Sequence, residues 1–282
     1  MSVRITAETR IAGVAGHPVR HSLSPVIHNA WIASAGLDAA YLAFAPQEDG
    51  FEALVNGLRG QVALGLNVTI PFKERAFALA DQHSAAARRA GAANLLVFHA
   101  DGSVLADNTD GVGLLAALKG AGGLLTRSPV VVLGAGGAAR AAVLSLLDAG
   151  VSQVRLVNRS RDRAEAIAAL DGRISALGWD EAAQALDGVS AVINATSLGM
   201  TGQPPLELSL DRAAPTAMVM DMVYRPLKTA LLRAAEARGH PTADGLSMLI
   251  AQARPSFEAL FDRPPPEDVD VRALCEQALG GR

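Results

Sequence analysis

Cysteine is nearly absent from this chain. Cys275 stands alone, which excludes an internal disulfide. It lies in an amphipathic C-terminal stretch and reads as a half-buried structural thiol. Aromatic residues are also scarce, at 4%. The core must then come from small and aliphatic side chains, which suits closely packed helix–sheet layers. No apolar run approaches the roughly 20 residues that a membrane-spanning helix needs. Clustered positive charge is missing too: the net charge is -3 and the pI about 6.1, which argues against a nucleic-acid surface. The segment Met1–Arg4 is followed by polar residues rather than an apolar stretch, so no secretory signal is expected. These absences point to the cytoplasm. The histidines form no metal-binding spacing. His17, His21 and His28 do not make an H-E-x-x-H set, and His83, His99 and His240 stand apart. No metal is expected, and every histidine reads as structural or surface.

What remains is a chain of 282 residues, 50% of them hydrophobic, long enough for about two domains. Short apolar runs alternate with helical patterns, the mark of βαβ units and mostly parallel sheets. Strands are predicted at Arg10 to Gly16, Tyr41 to Ala45 and Val62 to Val68, with a hairpin around Asp101-Gly102. Ser24 is expected to cap a helix whose first residue is Pro25. Another helix is expected from Pro71 to about Leu79, and a further one from Gly111 to Lys119. A second unit follows, with strands at 129–133, 154–157, 191–194 and 218–222 and helices between them. Pro264-Pro265-Pro266 breaks the chain before a last helix, about Val269 to Leu279.

The apolar run Pro129 to Leu133 leads straight into Gly134-Ala135-Gly136-Gly137-Ala138-Ala139. A G-x-G-x-x-A pattern between strand and helix is the context of a dinucleotide-binding turn. Its first glycine allows the tight turn, and its second lets the backbone approach a pyrophosphate. Ala139 permits close helix–strand packing. The next strand ends in Val157-Asn158-Arg159-Ser160, where an NAD site usually places a carboxylate for the ribose hydroxyl. A guanidinium fits a 2′-phosphate instead, so the site reads as one for NADP, with Arg159 as the main contact. Arg161 and Arg163 are close by, and their roles stay open against a solvated helix face.

Five segments of the chain put polar side chains at strand ends and helix starts. In His21-Ser22-Leu23-Ser24-Pro25, two hydroxyls beside a helix N-terminus suit a carboxylate. In Asn67-Val68-Thr69-Ile70-Pro71-Phe72-Lys73, the polar residues 67 and 69 share one side of a strand end. Lys73 falls in the first turn of a helix, where the dipole disfavours a cation, and such a violation of local preference is where function is expected. The others are Asn94, Asp107 to Gly111 with Asp110 at a helix start, and Gly245 to Gln252. Hydride reduction of a ketone needs a proton donor for the forming alkoxide, which Lys73 with Asp110 could supply. The neutral Ser, Thr, Asn and Gln residues suit a hydroxylated carboxylate better than an apolar ligand.

In this order, these segments resemble the shikimate dehydrogenase family, as do Asn194-Ala195-Thr196-Ser197-Leu198-Gly199-Met200 and Asp221-Met222-Val223-Tyr224. The resemblance covers nearly the whole chain. It implies NADPH-dependent reduction of 3-dehydroshikimate to shikimate, a step of aromatic amino-acid and chorismate synthesis. It implies a two-domain α/β fold: a substrate domain with a mixed sheet, residues 1–110 and 245–282, and a Rossmann-like cofactor domain, residues 111–244. The C-terminal helices would return to the first domain. Ser22, Ser24 and Tyr224 would hold the substrate carboxylate, and Asn67, Thr69, Asn94 and Gln252 the ring hydroxyls and pocket wall. Lys73 and Asp110 would be the catalytic pair. The cofactor would lie on Gly134, Ala135, Gly136, Gly137, Ala138, Asn158, Arg159, Ser160, Arg163 and Thr196, with Met222 and Gly245 near the nicotinamide. The expected partner is a small molecule, with no nucleic acid or membrane, on a monomer or homodimer. Arg225, Ala230, Leu95 and Phe261 depart from the family's common residues at the outer contacts. Three rival readings are a broader quinate/shikimate dehydrogenase, a methylene-tetrahydrofolate dehydrogenase and a silent NADP(H)-binding paralogue. Retention of Lys73 and Asp110 argues against the last.

Overall fold

A computed structural model describes residues 5–123 and 128–280. Met1–Arg4, the start of the stretch in which no secretory signal is expected, lies outside the described residues. The chain divides into two compact units. One comprises the residues through Thr109 and those from Gln252 onward; the other is Asp110–Ala251.

In the first unit the elements run β1 (Arg10–Ala15), α1 (Ser24–Ser34), β2 (Ala39–Phe44), α2 (Phe51–Leu58), β3 (Ala63–Val68), α3 (Lys73–Leu79), β4 (Gln82–His83), α4 (Ala85–Ala90), β5 (Leu95–Phe98) and β6 (Val104–Asp107). The six strands form one mixed sheet in the order β2-β1-β3-β5-β6-β4. β1 is parallel to β2 and β3, while the hairpin strands β5 and β6 run antiparallel to their neighbours in the β3-β5-β6 stretch. One face of this sheet buries Phe51, Val55, Leu66, Phe72 and Leu96, with Phe51 and Phe72 stacked 4.5 Å apart.

In the second unit the elements are α5 (Asp110–Gly120), β7 (Val130–Leu133), α6 (Gly137–Asp148), β8 (Val154–Val157), α7 (Arg161–Ala168), β9 (Ile174–Leu177), α8 (Ala182–Ala185), β10 (Ala191–Asn194), β11 (Met218–Asp221), α9 (Ala230–Ala237) and β12 (Thr242–Ala243). Its six strands are all parallel, in the order β12-β11-β10-β7-β8-β9. The run Val130–Leu133 is apolar throughout because both faces of its strand are covered. Val130 and Val132 join one core, while Val131 and Leu133 join the other. α10 (Gly245–Phe261) crosses from one unit to the other along the chain, and α11 (Val271–Gly280) follows the triple proline.

The units divide after Thr109 and after Ala251, where the sequence reading put its boundaries at 110 and 244. The later shift has a packing cause: Met248 is buried in the second unit's core, and Gly245 packs on Met222 there. Ser24 is not the cap expected of it. It is already helical, Leu23 is the N-cap residue, and the hydroxyl of Ser22 accepts from the Ser24 amide at 3.2 Å. Pro71 likewise precedes its helix, because Phe72 closes a turn on Thr69 at 3.0 Å and α3 starts only at Lys73. Cys275 is wholly buried, beyond the half-burial expected, and burial pushes its thiol up to about 11. Short elements such as α2, α4, β9 and α8 were not visible in the hydrophobic pattern, since runs of four to eight residues carry little periodic signal.

His28 sits wholly inside the first unit, stacked at 4.1 Å on Tyr41 and edge-on to Trp31. Neither ring nitrogen has a hydrogen-bond partner among the described residues, and burial drives its pKa from 6.5 down to about 3. The folded chain therefore resists protonating a group that the unfolded chain protonates readily. The resulting stability is complete above pH 6.5 and is lost as the pH falls toward 3. Between pH 7 and 5 the loss is about 2 kcal/mol, at about 1.4 kcal/mol per pH unit. Unfolding free energies from denaturant titrations at those two pH values are expected to differ by that much less in His28→Phe. An equal acid loss in the variant would contradict this account.

Candidate active site

The first unit gathers polar residues at the ends of β3, β5 and β6 and on α10. Asn94 and Thr109 are cross-braced: the Thr109 amide donates to Asn94 Oδ1 at 2.8 Å, and Asn94 Nδ2 donates to Thr109 Oγ1 at 2.9 Å. Gln252 Oε1 accepts from both, at 3.2 Å from Asn94 and 3.1 Å from Thr109. Asn67 Nδ2 donates to the Asn94 carbonyl at 3.1 Å and to Ser256 Oγ at 3.0 Å. All five side chains are buried. A backbone amide bonded to Asn94 Oδ1 fixes which way that carboxamide points, and a carbonyl bonded to Asn67 Nδ2 shows which end of the Asn67 amide is the donor. The arrangement is neutral, buried and mutually hydrogen-bonded, so it suits the hydroxyl groups of a ligand.

Around this cluster stand the other expected residues of the unit. Thr69 follows β3, with its amide on the Ala15 carbonyl at 2.9 Å. Lys73 is the first residue of α3 and half-buried, and its own carbonyl accepts from Ala93 at 2.8 Å, which joins α3 to the approach of Asn94. Ser22 and Ser24 lie at the start of α1, with Ser24 buried. Of the residues expected at the site, the structure joins Asn67, Asn94 and Gln252 in one cluster. Sequence reasoning missed Ser256 as a joining residue, because a serine inside a helix carries no pattern of its own. Thr109 fell within a recognised motif but had no role of its own there.

The second unit holds the glycine-rich turn. Gly134 has a φ of +105° and lies against Ala195, where a Cβ would stand 3.0 Å from the Ala195 carbonyl oxygen. Gly136 is the N-cap of α6, extended and without a side-chain cap, and nothing lies within 4 Å of where its Cβ would be. The amides of Gly137, Ala138 and Ala139 open α6 beside Ala135, leaving an N-terminus suited to an anion. Arg140 lies one residue further on. Its Nε is buried without a partner among the described residues, which also suits a site built for negative charge. A dinucleotide therefore fits these residues.

At the end of β8, Asn158 Nδ2 donates to the Ser160 carbonyl at 2.8 Å and so shapes the turn that carries Arg159. Arg159 and Arg163 are exposed and make no ion pair among the described residues. Arg161 is bound to Glu165 and Glu181, each at 3.2 Å. That difference separates the two arginines whose roles the sequence left open. Thr196 is set by Asn194, whose Oδ1 accepts from the Thr196 amide at 3.0 Å and hydroxyl at 2.7 Å. Asn194 is set in turn by Asp221 at 2.9 Å, and Asp221 also accepts from Thr229 at 2.7 Å and from the Val223 amide at 3.0 Å. Burial pushes the Asp221 carboxyl above its ordinary value, against the pull of these three donors. Met222 and Tyr224 follow closely after Asp221. Gly245 is required by close approach, since a Cβ there would stand 2.4 Å from the Met222 carbonyl oxygen. Asp110 is the first residue of α5 and is buried.

A six-stranded parallel sheet with an uncapped glycine turn after its central strand, carried on one chain with a unit holding a fixed polyol-type cluster and a helix-leading lysine, defines a nicotinamide-nucleotide dehydrogenase of a small hydroxylated substrate. Residues 14–96 match the family model of the shikimate dehydrogenase substrate binding domain, and residues 116–201 match that of shikimate / quinate 5-dehydrogenase. The chain is 54% identical to the shikimate dehydrogenase (NADP(+)) of Caulobacter vibrioides, over 99% of each chain. It is similar to the shikimate 5-dehydrogenase of Thermus thermophilus solved with NADP(H) and shikimate, at 34% identity and a TM-score of 0.84, covering 97% of this chain and 100% of that one. The quinate dehydrogenase of Corynebacterium glutamicum solved with NAD has a TM-score of 0.86 at 26% identity, covering 96% and 99%. The chain belongs to the shikimate dehydrogenase family.

Proposed function

We infer that this chain catalyses the reversible, NADP-dependent reduction of 3-dehydroshikimate to shikimate, the reaction that serves aromatic amino-acid and chorismate synthesis. The observation that carries the reading is the buried Asn67–Asn94–Thr109–Gln252–Ser256 cluster, a neutral hydrogen-bonding wall matched to a polyhydroxylated ring. In this reading the first unit binds the substrate and the second the cofactor. NADPH, when bound, supplies the hydride that the ring ketone carbon receives. Ser22 and Ser24 hold the substrate carboxylate with Tyr224, while Asn67, Thr69, Asn94 and Gln252 orient the ring. Lys73 gives a proton to the ketone oxygen as the C=O bond becomes CH–OH, and Asp110 is the second member of the catalytic pair. The turn from Gly134 to Ala138 takes the pyrophosphate. Asn158, Arg159, Ser160 and Arg163 take the 2′-phosphate, and Thr196, Met222 and Gly245 border the nicotinamide. Among the described residues no helix is long and apolar enough to cross a membrane, and no group of acidic, histidine or cysteine side chains could hold a metal. We place the protein in the cytoplasm as a monomer or homodimer.

The test is oxidation of shikimate and, separately, quinate with NADP⁺ and NAD⁺ at matched concentrations, followed by reduced-nicotinamide absorbance. Activity confined to shikimate with NADP⁺ is expected. Comparable rates with quinate or NAD⁺ would replace this reading with the broader dehydrogenase, and no rate in any pair would replace it with a silent binding protein.

A further inference from the structure

Tyr41 stands on β2, outside every segment that pointed to the site, yet its hydroxyl donates to Asn67 Oδ1 at 2.8 Å inside the unit. Burial pushes the phenol well above its ordinary value, so it stays a donor. Its placement is unusually constrained. Asn29 on α1 brackets the Tyr41 backbone: its Nδ2 donates to the Tyr41 carbonyl at 2.8 Å, and its Oδ1 accepts from the Tyr41 amide at 2.9 Å. His28 lies flat on the Tyr41 ring, 4.1 Å away and 7° from parallel. One helix thus holds Tyr41 by its backbone and its ring.

The consequence falls on Asn67. Both hydrogens of its amide nitrogen are used, one by the Asn94 carbonyl and one by Ser256. Its oxygen takes one hydrogen bond, from Tyr41, and has a second lone pair to offer. We propose that Tyr41 is a positioning residue for substrate recognition: it locks the Asn67 carboxamide so that the pocket wall there can only accept, and a ring hydroxyl must meet it as a donor. The proposal rests on the reading of Asn67 as a substrate contact.

Tyr41→Phe in the full-length enzyme keeps the ring stack and the Asn29 clamp but removes the donor. The KM for shikimate is expected to rise about 3- to 12-fold, the worth of one net hydrogen bond, with kcat and the KM for NADP⁺ changed less than about twofold on the same scale. The double-mutant cycle decides the mechanism: in an Asn67→Ala background, Tyr41→Phe should add less than about twofold to the shikimate KM. An unchanged KM in the single variant overturns the proposal. So does an equal rise in both backgrounds, or a matching rise for NADP⁺, either of which marks a merely structural residue. Should Asn67→Ala alone leave the shikimate KM of an active enzyme untouched, the reading of Asn67 as a substrate contact fails and the proposal falls with it.

Discussion

Lys73→Ala is expected to lower kcat for shikimate oxidation by about 10²- to 10⁴-fold, the usual worth of a positioned proton donor or acceptor, while the KM for shikimate rises much less. The argument starts from an anomaly. Lys73 is the first residue of α3, at the positive end of the helix, where a cation is disfavoured. The cap before it is Phe72, which offers no side-chain acceptor. Local preference would place a serine or an acid here, so the lysine answers to some other demand. Its backbone is tied through Ala93 to the strand that begins beside Asn94, which holds it next to the buried amide cluster. A group that acts on the reacting oxygen acts chiefly in the transition state, so its loss falls on kcat and kcat/KM together. Steady-state kinetics in both directions check this. A variant with near-normal kcat and a greatly raised KM would make Lys73 a binding group instead.

Arg159→Ala is expected to raise the KM for NADP⁺ by about 10- to 100-fold, the worth of one charge-assisted contact, and to leave the KM for NAD⁺ nearly unchanged. Arg159 stands at the end of β8 on a turn shaped by Asn158, exposed and without an ion pair among the described residues. Arg161 is held by Glu165 and Glu181 and has less to give. Arg161→Ala should therefore change NADP⁺ binding several-fold less than Arg159→Ala. Initial rates over a range of each nucleotide, at one ionic strength, make the comparison, since exposed charge contacts weaken with salt. Equal losses for NADP⁺ and NAD⁺ in Arg159→Ala would mean that the guanidinium does not read the 2′-phosphate.

The second unit was the more legible of the two. A strand buried on both faces must be apolar at every position, and Val130–Leu133 is; a dinucleotide turn must have glycine where a Cβ would block backbone or phosphate, and Gly134 and Gly136 are there. The first unit is a mixed sheet whose short elements depend on partners distant in sequence, so α2, α4 and the edge pairing of β4 left little local trace. Helix starts were misplaced by one or two residues at Ser24 and Pro71, because serine and proline serve equally well just before a helix and just inside it.

The amino-acid sequence by itself determined the α/β class, the glycine turn, the arginine in place of an acid after β8, and the motif order that resembles the family. Each is carried by residues adjacent or regularly spaced along the chain, where local sterics and periodicity act. Only the tertiary structure decided that Ser256 and Thr109 complete the amide cluster, that Asp221 and Asn194 set the loop of Thr196, and that Tyr41 orients Asn67. The contacts that join the amide cluster span 15 to 189 residues of sequence. A buried polar atom takes whichever partner the packed fold brings to it, and that choice is made by the fold rather than by spacing along the chain.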